Sequence, residues 1–331
     1  MAEIDRFSLL KATFNRERTE KVPYSLWKHF IEADKTPEEL AQAQLDFQQK
    51  FDCDLMKISP HGSYCVVDFG GILGGYRPVS GSRICERTPI LSLSDWETLE
   101  PVDPNEGEFG AQVKAVKLIH QQVENKVPTM MTIFSPFMVA SKLDIAILEH
   151  LSQDRELIKE QINMLTRLMM EFTGATLDSG SDGLFIATQH FNSTLRQEEL
   201  QDFEFQPIKS ILLEITRKST FNVLHLHGEK PYFRLATELP NVQGINWHDQ
   251  RTTPTLLEAR QDFDGGLIGG LDEMNLLRTG SEEKIEQAIL EIYRKYNDRG
   301  LIFAPGCVLS QDIPESNLVQ VIKTINNLYP I

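Results

Sequence analysis

Eight short apolar runs, separated by stretches of helical period along the whole chain, leave few folds open to this sequence. They are Val22–Trp27, Asp54–Ser59, Thr129–Phe134, Gly183–Thr188, Phe221–His227, Gln243–His248, Gly266–Leu271 and Gly300–Gly306. Each is short and bounded by turn residues, as buried strands are. The gaps hold helical patterns at Glu39–Phe51, Phe109–Glu124, Ala140–Thr173, Gln197–Arg217, Thr255–Asp262 and Ser281–Tyr296. Strands separated by helices need crossover connections, which make the sheet parallel. Eight such units without a linker predict a single α/β domain over residues 1–331, a closed (β/α)8 TIM barrel, with an open doubly wound sheet as the alternative.

Residues Asp68 to Pro104 do not follow the pattern. Glycine doublets, Pro78, Arg77, Arg83 and Arg87 mark a long insertion after the second strand, at the rim where barrel loops shape active sites. The doublets Gly70-Gly71, Gly74-Gly75 and Gly265-Gly266 lack the spacing of a dinucleotide or P-loop turn.

Carboxylates outnumber amines and guanidines by 48 to 33, a net charge of −15, which repels phosphate backbones and anionic lipid. Nucleic acid and membrane are therefore poor partners, and a small molecule is the expected one. No stretch reaches the roughly 20 apolar residues of a membrane span, and the N-terminus lacks a signal-peptide core, so the chain reads as cytoplasmic. Cys53, Cys65, Cys85 and Cys307 are too few for a disulfide framework and read as free thiols or metal ligands.

Histidine placement is the most informative chemical feature. His29 beside Lys28, His61, His190, His225, His227 and His248 all fall at or just past the C-terminal end of an expected strand, whereas His120 and His150 fall in helical segments and read as surface or packing residues. In a barrel those strand ends ring one mouth. His225 and His227 alternate with Leu224 and Leu226, so strand periodicity puts both imidazoles on one face. With Cys307 after the last strand they make three metal ligands and leave a position open for water or substrate. Paired inward histidines that merely hydrogen-bond, and a buried thiol, are the bland alternative. Glu229 is a candidate fourth ligand or proton carrier. It joins His248 and His61 as catalytic candidates, with Lys28, Lys57, Tyr64, Gln189, His190 and Trp247 as substrate-binding ones.

Eight segments in order, VPYSLWKHF, DLMKISPHGSYCVVDFGG, PTMMTIFSPFMVASKL, DGLFIATQHF, NVLHLHGEKPYF, VQGINWHD, GLIGGLDE and APGCVLSQDIPESNL, resemble the uroporphyrinogen decarboxylase superfamily, whose fold is a (β/α)8 barrel. The true decarboxylases of that superfamily carry an arginine-rich loop after the first strand. Here Lys28 and Glu32 stand in that loop, His61 replaces an aspartate after the second strand, and Cys307 falls where a histidine would be. The branch similar to methylcobamide:coenzyme M methyltransferases holds zinc on an HxC motif and a PGC turn. His225-Leu226-His227 and Pro305-Gly306-Cys307 match two of those three ligands, with His227 in place of a cysteine. The resemblance implies a zinc-dependent methyltransferase that moves a methyl group to a thiol from a methylcorrinoid presented by a partner protein. A metal-independent decarboxylase of a polycarboxylate, for which Arg77, Arg83 and Arg87 would be at hand, and a non-catalytic binding barrel are the other two readings.

Overall fold

The computed structural model describes residues 4–296 and 299–328. The described residues form nine strands: β1 (Met56–Ile58), β2 (Ile72–Tyr76), β3 (Arg83–Arg87), β4 (Thr129–Phe134), β5 (Gly183–Thr188), β6 (Phe221–Leu226), β7 (Gly244–Trp247), β8 (Gly266–Leu271) and β9 (Leu301–Pro305). Seven of them form one curled parallel sheet in the order β1-β4-β5-β6-β7-β8-β9. Every residue of β4, β5, β6 and β8 is buried, which is why these strands read as continuous apolar runs rather than as alternating ones.

The expected first strand, Val22–Trp27, is corrected. It makes a single parallel bridge, Tyr24 to Phe303, with Ser25 N donating to Phe303 O and Phe303 N to Pro23 O, both at 2.9 Å. On its other side Asp54 N donates to Tyr24 O at 3.0 Å. A longer ladder does not form because the donors turn elsewhere. Tyr24 N goes to Asp54 Oδ2, Leu26 N goes to Cys53 Sγ, and Pro23 has no N–H.

The long helix expected over Ala140–Thr173 is three helices, Pro136–Leu143, Ile147–Gln153 and Arg155–Asp178. Two aspartates divide it. Asp144 Oδ2 accepts from Trp96 Nε1 and pairs with His150 Nδ1, each at 2.7 Å, and Asp154 caps the third helix by accepting from Leu157 N. Short acidic side chains that bind backbone and neighbours favour helix ends over interiors. Gln197–Arg217 is likewise interrupted, by a π turn at Gln201–Phe205 that brings Glu204 into full burial, where Oε1 accepts from Thr188 Oγ1 at 2.6 Å.

Within residues 68–104, β2 and β3 pair antiparallel as a hairpin with register shifts, followed by a short helix at Leu93–Glu97. No helix among the described residues is long and apolar enough to cross a membrane.

Candidate metal centre

His225, the fifth residue of β6, lies level with Ala187 of β5 and Asn246 of β7. The adjacent Leu224 and Leu226 are fully buried on the other face. Asn246 fixes the state of His225. Its Nδ2 donates to Ile268 O (2.8 Å) and Pro305 O (3.1 Å), so its Oδ1 is the atom that faces His225 Nδ1, at 2.6 Å. The Nδ1 proton is thus committed to Asn246 and the Nε2 lone pair is free.

His227, past the end of β6, is the hub of the other groups. Its Nδ1 lies 3.3 Å from His248 Nε2 and 3.6 Å from Cys307 Sγ. One ligand atom from each of His225, His227, His248 and Cys307 can be chosen so that all lie within 4.8 Å of one another. His248 Nδ1 sits 3.5 Å from Glu273 Oε1, while Glu273 Oε2 accepts from Gly306 N at 3.1 Å. Gly306 is needed for that approach, because a Cβ there would lie 3.0 Å from both His248 Cα and Trp247 O.

Burial strips solvation from the imidazolium forms. It holds His225 well below the usual range and lowers His227 to about 4, with repulsion from neighbouring histidines adding to both. Neutral rings are the form in which histidine binds metal. Burial, helped by Glu273, pushes the Cys307 thiol up to about 11. In a tetrahedral zinc site with bonds of 2.0–2.1 Å to nitrogen and 2.3 Å to sulfur, nitrogens lie about 3.3 Å apart and nitrogen and sulfur about 3.6 Å apart. The distances around His227 have those values, so this donor set suits zinc.

The cluster opens into a cavity of ≈ 540 Å³ that His225, His227 and Cys307 line together with Lys57. Lys57 is buried on β1. Its Nζ donates to Ser59 Oγ at 2.9 Å and lies 4.7 Å from the Phe185 ring centre, and burial lowers it to about 7. A larger hollow of ≈ 960 Å³ lies at the opposite ends of the strands, beside Asp54 and Val127. There the buried acid is already paired, with Lys21 Nζ 2.7 Å from Asp54 Oδ1.

The other expected site residues divide. Gln189 lines the cavity with Lys57. Glu229 is exposed and outside both cluster and cavity lining, and the fourth group of the cluster is His248 instead. His61 is buried with Nε2 3.2 Å from Glu108 Oε1 and does not line the cavity. Tyr64 is a core aromatic, packed on Phe109, Phe134 and Phe172. Trp247 is fully buried on the outer face of β7, against Phe233, with Nε1 donating to Pro254 O at 2.7 Å. His190 stands edge-on to Phe137 with Nδ1 3.2 Å from Thr194 Oγ1, and neither it nor half-buried Lys28 lines the cavity. Of these residues Trp247 alone lies on a strand, where alternation turns it outward, while Tyr64 lies on a short helix and Lys28, His61, His190 and Glu229 lie in connecting segments whose side-chain directions no strand period fixes. The same alternation could have singled out Asn246, between outward Ile245 and Trp247. Glu273 carried no such signal, and His29, one of the histidines expected at the strand ends, lines the cavity.

Comparison with known proteins gives a consistent set of matches. The profile described as uroporphyrinogen decarboxylase (URO-D) matches residues 17–328. A methylcobamide:CoM methyltransferase MtbA of Methanosarcina acetivorans is 22% identical over 242 residues, covering 72% of this chain and 69% of that protein. A uroporphyrinogen decarboxylase of Trichodesmium erythraeum is 23% identical over 260 residues, with the same coverage of 72% and 69%. Among solved structures, a methyltransferase from Methanosarcina mazei superposes with a TM-score of 0.82 at 18% identity, over 99% of this chain and 100% of that one. A B12-independent methionine synthase from Shewanella does so at 0.58 and 12%, over 95% and 96%. These two likenesses are likenesses of fold.

Proposed function

Because the chain belongs to the uroporphyrinogen decarboxylase (URO-D) family, we propose that it is a cytosolic methyltransferase that binds zinc at the cluster of His225, His227, His248 and Cys307, three of them as ligands, and methylates a small thiol at the position left open. On this reading residues 1–331 are one domain, the Tyr24 segment closes the sheet as the eighth stave of a (β/α)8 barrel, and residues 68–104 are an insertion over its mouth. The observation that carries the reading is the convergence of three imidazoles and one thiol, with the His225 ring oriented by Asn246. The names of the methyltransferase relatives point the same way.

When bound, zinc would supply a Lewis acid that keeps an acceptor sulfur in its thiolate form near neutral pH. The chain does the rest. Asn246 holds the Nδ1 proton of His225 away from the cluster, and the Glu273 carboxylate stands 3.5 Å from His248 Nδ1. Phe185, stacked on His225 at 5.3 Å, and Trp27 wall the cavity and limit water. The acceptor's proton leaves to solvent, its sulfur forms the new bond to the methyl carbon, and the pair of the broken bond stays with the donor. A methylcorrinoid on a separate protein is the donor this reading calls for.

The test is elemental analysis of protein purified without chelator, followed by incubation with methylcobalamin and a panel of thiols while corrinoid absorbance is monitored. About one zinc per chain and thiol-dependent demethylation are expected. Absence of zinc after growth with added zinc overturns the reading. A metal-independent decarboxylase of a polycarboxylate is the second reading, favoured by the cations that line the cavity, and release of carbon dioxide by zinc-free protein would select it.

A further inference from the structure

The charge of the cavity wall runs against the charge of the chain. Lys57, Arg77, Arg83 and Lys142 line it, and among the described residues no aspartate or glutamate does, although the chain carries fifteen more acidic than basic groups. Among the described residues none of the four makes an ion pair. The rest of the surface behaves differently, with lysines and arginines repeatedly matched to carboxylates, as in Arg278 with Asp312 and Lys218 with Asp178.

The four cations sit at two depths. Lys57 is on the floor, on β1, 5% exposed, with its ammonium over the rings of Phe185 and Trp27 and one hydroxyl as partner. A buried ammonium without a counter-ion is costly, and an anion arriving beside it removes that cost. Arg77 and Arg83 come from the β2–β3 hairpin and its turn, with Lys142 facing them from the helix Pro136–Leu143. Arg83 lies over the Tyr76 ring at 5.9 Å and Lys142 over Phe134 at 5.1 Å, and aromatic faces hold these cations in place without neutralising them. Guanidinium pairs and ammonium groups held this way suit carboxylate, sulfonate or phosphonate oxygens.

We propose that the cavity binds a small organic di-acid, one acid group on Lys57 at the floor and the second on Arg77, Arg83 and Lys142 at the mouth. The inference deepens the methyl-transfer reading by stating the charge of its small substrate, and it rests on that reading only for the reaction the bound acid undergoes. None of the four cations is among the groups of the His/Cys cluster, so the two are separable.

The experiment is a titration at fixed ionic strength with succinate and glutarate as di-acids and butanoate as the mono-acid. Binding is read by calorimetry and by the fluorescence of Trp27 beside Lys57. At least one di-acid should bind tenfold or more tighter than butanoate. Lys57→Met, and separately the double variant Arg77→Gln with Arg83→Gln, should bring the di-acid down to the butanoate level with zinc content unchanged. The hairpin variant keeps the proposal falsifiable if Lys57→Met does not fold. Equal binding of mono-acid and di-acids, or di-acid binding unaltered in both variants, overturns it. Di-acid selectivity in protein found to hold no zinc supports the proposal while the methyl-transfer reading falls.

Discussion

The Oδ1 of Asn246 faces the Nδ1 of His225 at 2.6 Å, and the Nδ2 of the same amide ties down two backbone carbonyls from β8 and β9. One side chain thereby sets a histidine tautomer and ties its own strand, β7, to β6, β8 and β9. Asn246→Ala should weaken zinc binding about 10–100-fold, the usual effect of removing a ligand's hydrogen-bond partner. It should also cost about 1–3 kcal/mol of stability, because buried carbonyls lose their donor. A competition titration with a chromogenic chelator reads the first effect, and thermal unfolding of zinc-free protein reads the second.

Cys307→Ala removes the cluster's one sulfur ligand and should lower zinc affinity by orders of magnitude. His248→Ala should also lower zinc content, since its Nε2 is 3.3 Å from His227 Nδ1. Glu229→Ala, exposed and apart from the cluster, should leave it unchanged. Zinc stoichiometry of the three variants, measured by mass spectrometry of metals, checks the order.

Stability should fall as pH rises through the neutral range on account of Glu204. Burial raises its carboxyl to about 7, against a hydrogen bond from Thr188 that works the other way. An acid whose folded pKa lies above its unfolded value stabilises the fold below the unfolded pKa, near 4.5, and that contribution is lost as pH climbs toward 7. Glu204→Gln keeps an oxygen for Thr188 and removes the charge. It should raise stability above neutral pH by an amount on the order of 3 kcal/mol and flatten the slope between about pH 5 and 8, as read by melting temperature.

Trp247→Ala should behave as a core mutation. Its ring is fully buried against Phe233, so about 3–5 kcal/mol should be lost. Affinity for small acids should persist wherever the variant remains folded, because Trp247 is not in the cavity wall. Denaturant unfolding and acid titration separate the two effects.

The parallel strands were legible because buried strands write uninterrupted apolar runs, and seven of the eight runs are strands. Val22–Trp27 looked the same, but its donors go to Asp54 and Cys53 side chains, and no local pattern records a partner 27 or 30 residues away. The HxH and PGC segments announced His225, His227 and Cys307. Tyr64 and Trp247 misled because an aromatic beside a strand end can face either way. Glu273 was invisible, since a buried acid is defined by what surrounds it, here the His248 ring and the Gly306 amide.

The β2–β3 hairpin pairs with itself and not with the seven-stranded sheet. Arg77 and Arg83 therefore ride on a piece of chain whose backbone hydrogen bonds are independent of the strands that carry His225 and Asn246. Drift or grafting in the hairpin can alter which molecules are admitted while the metal donors keep their places. The mouth end of the proposed acid site is thus inherited apart from the metal donors, while its floor, Lys57 on β1, is bound into their sheet, so a descendant of this chain can change the far end of its diet without relearning its chemistry.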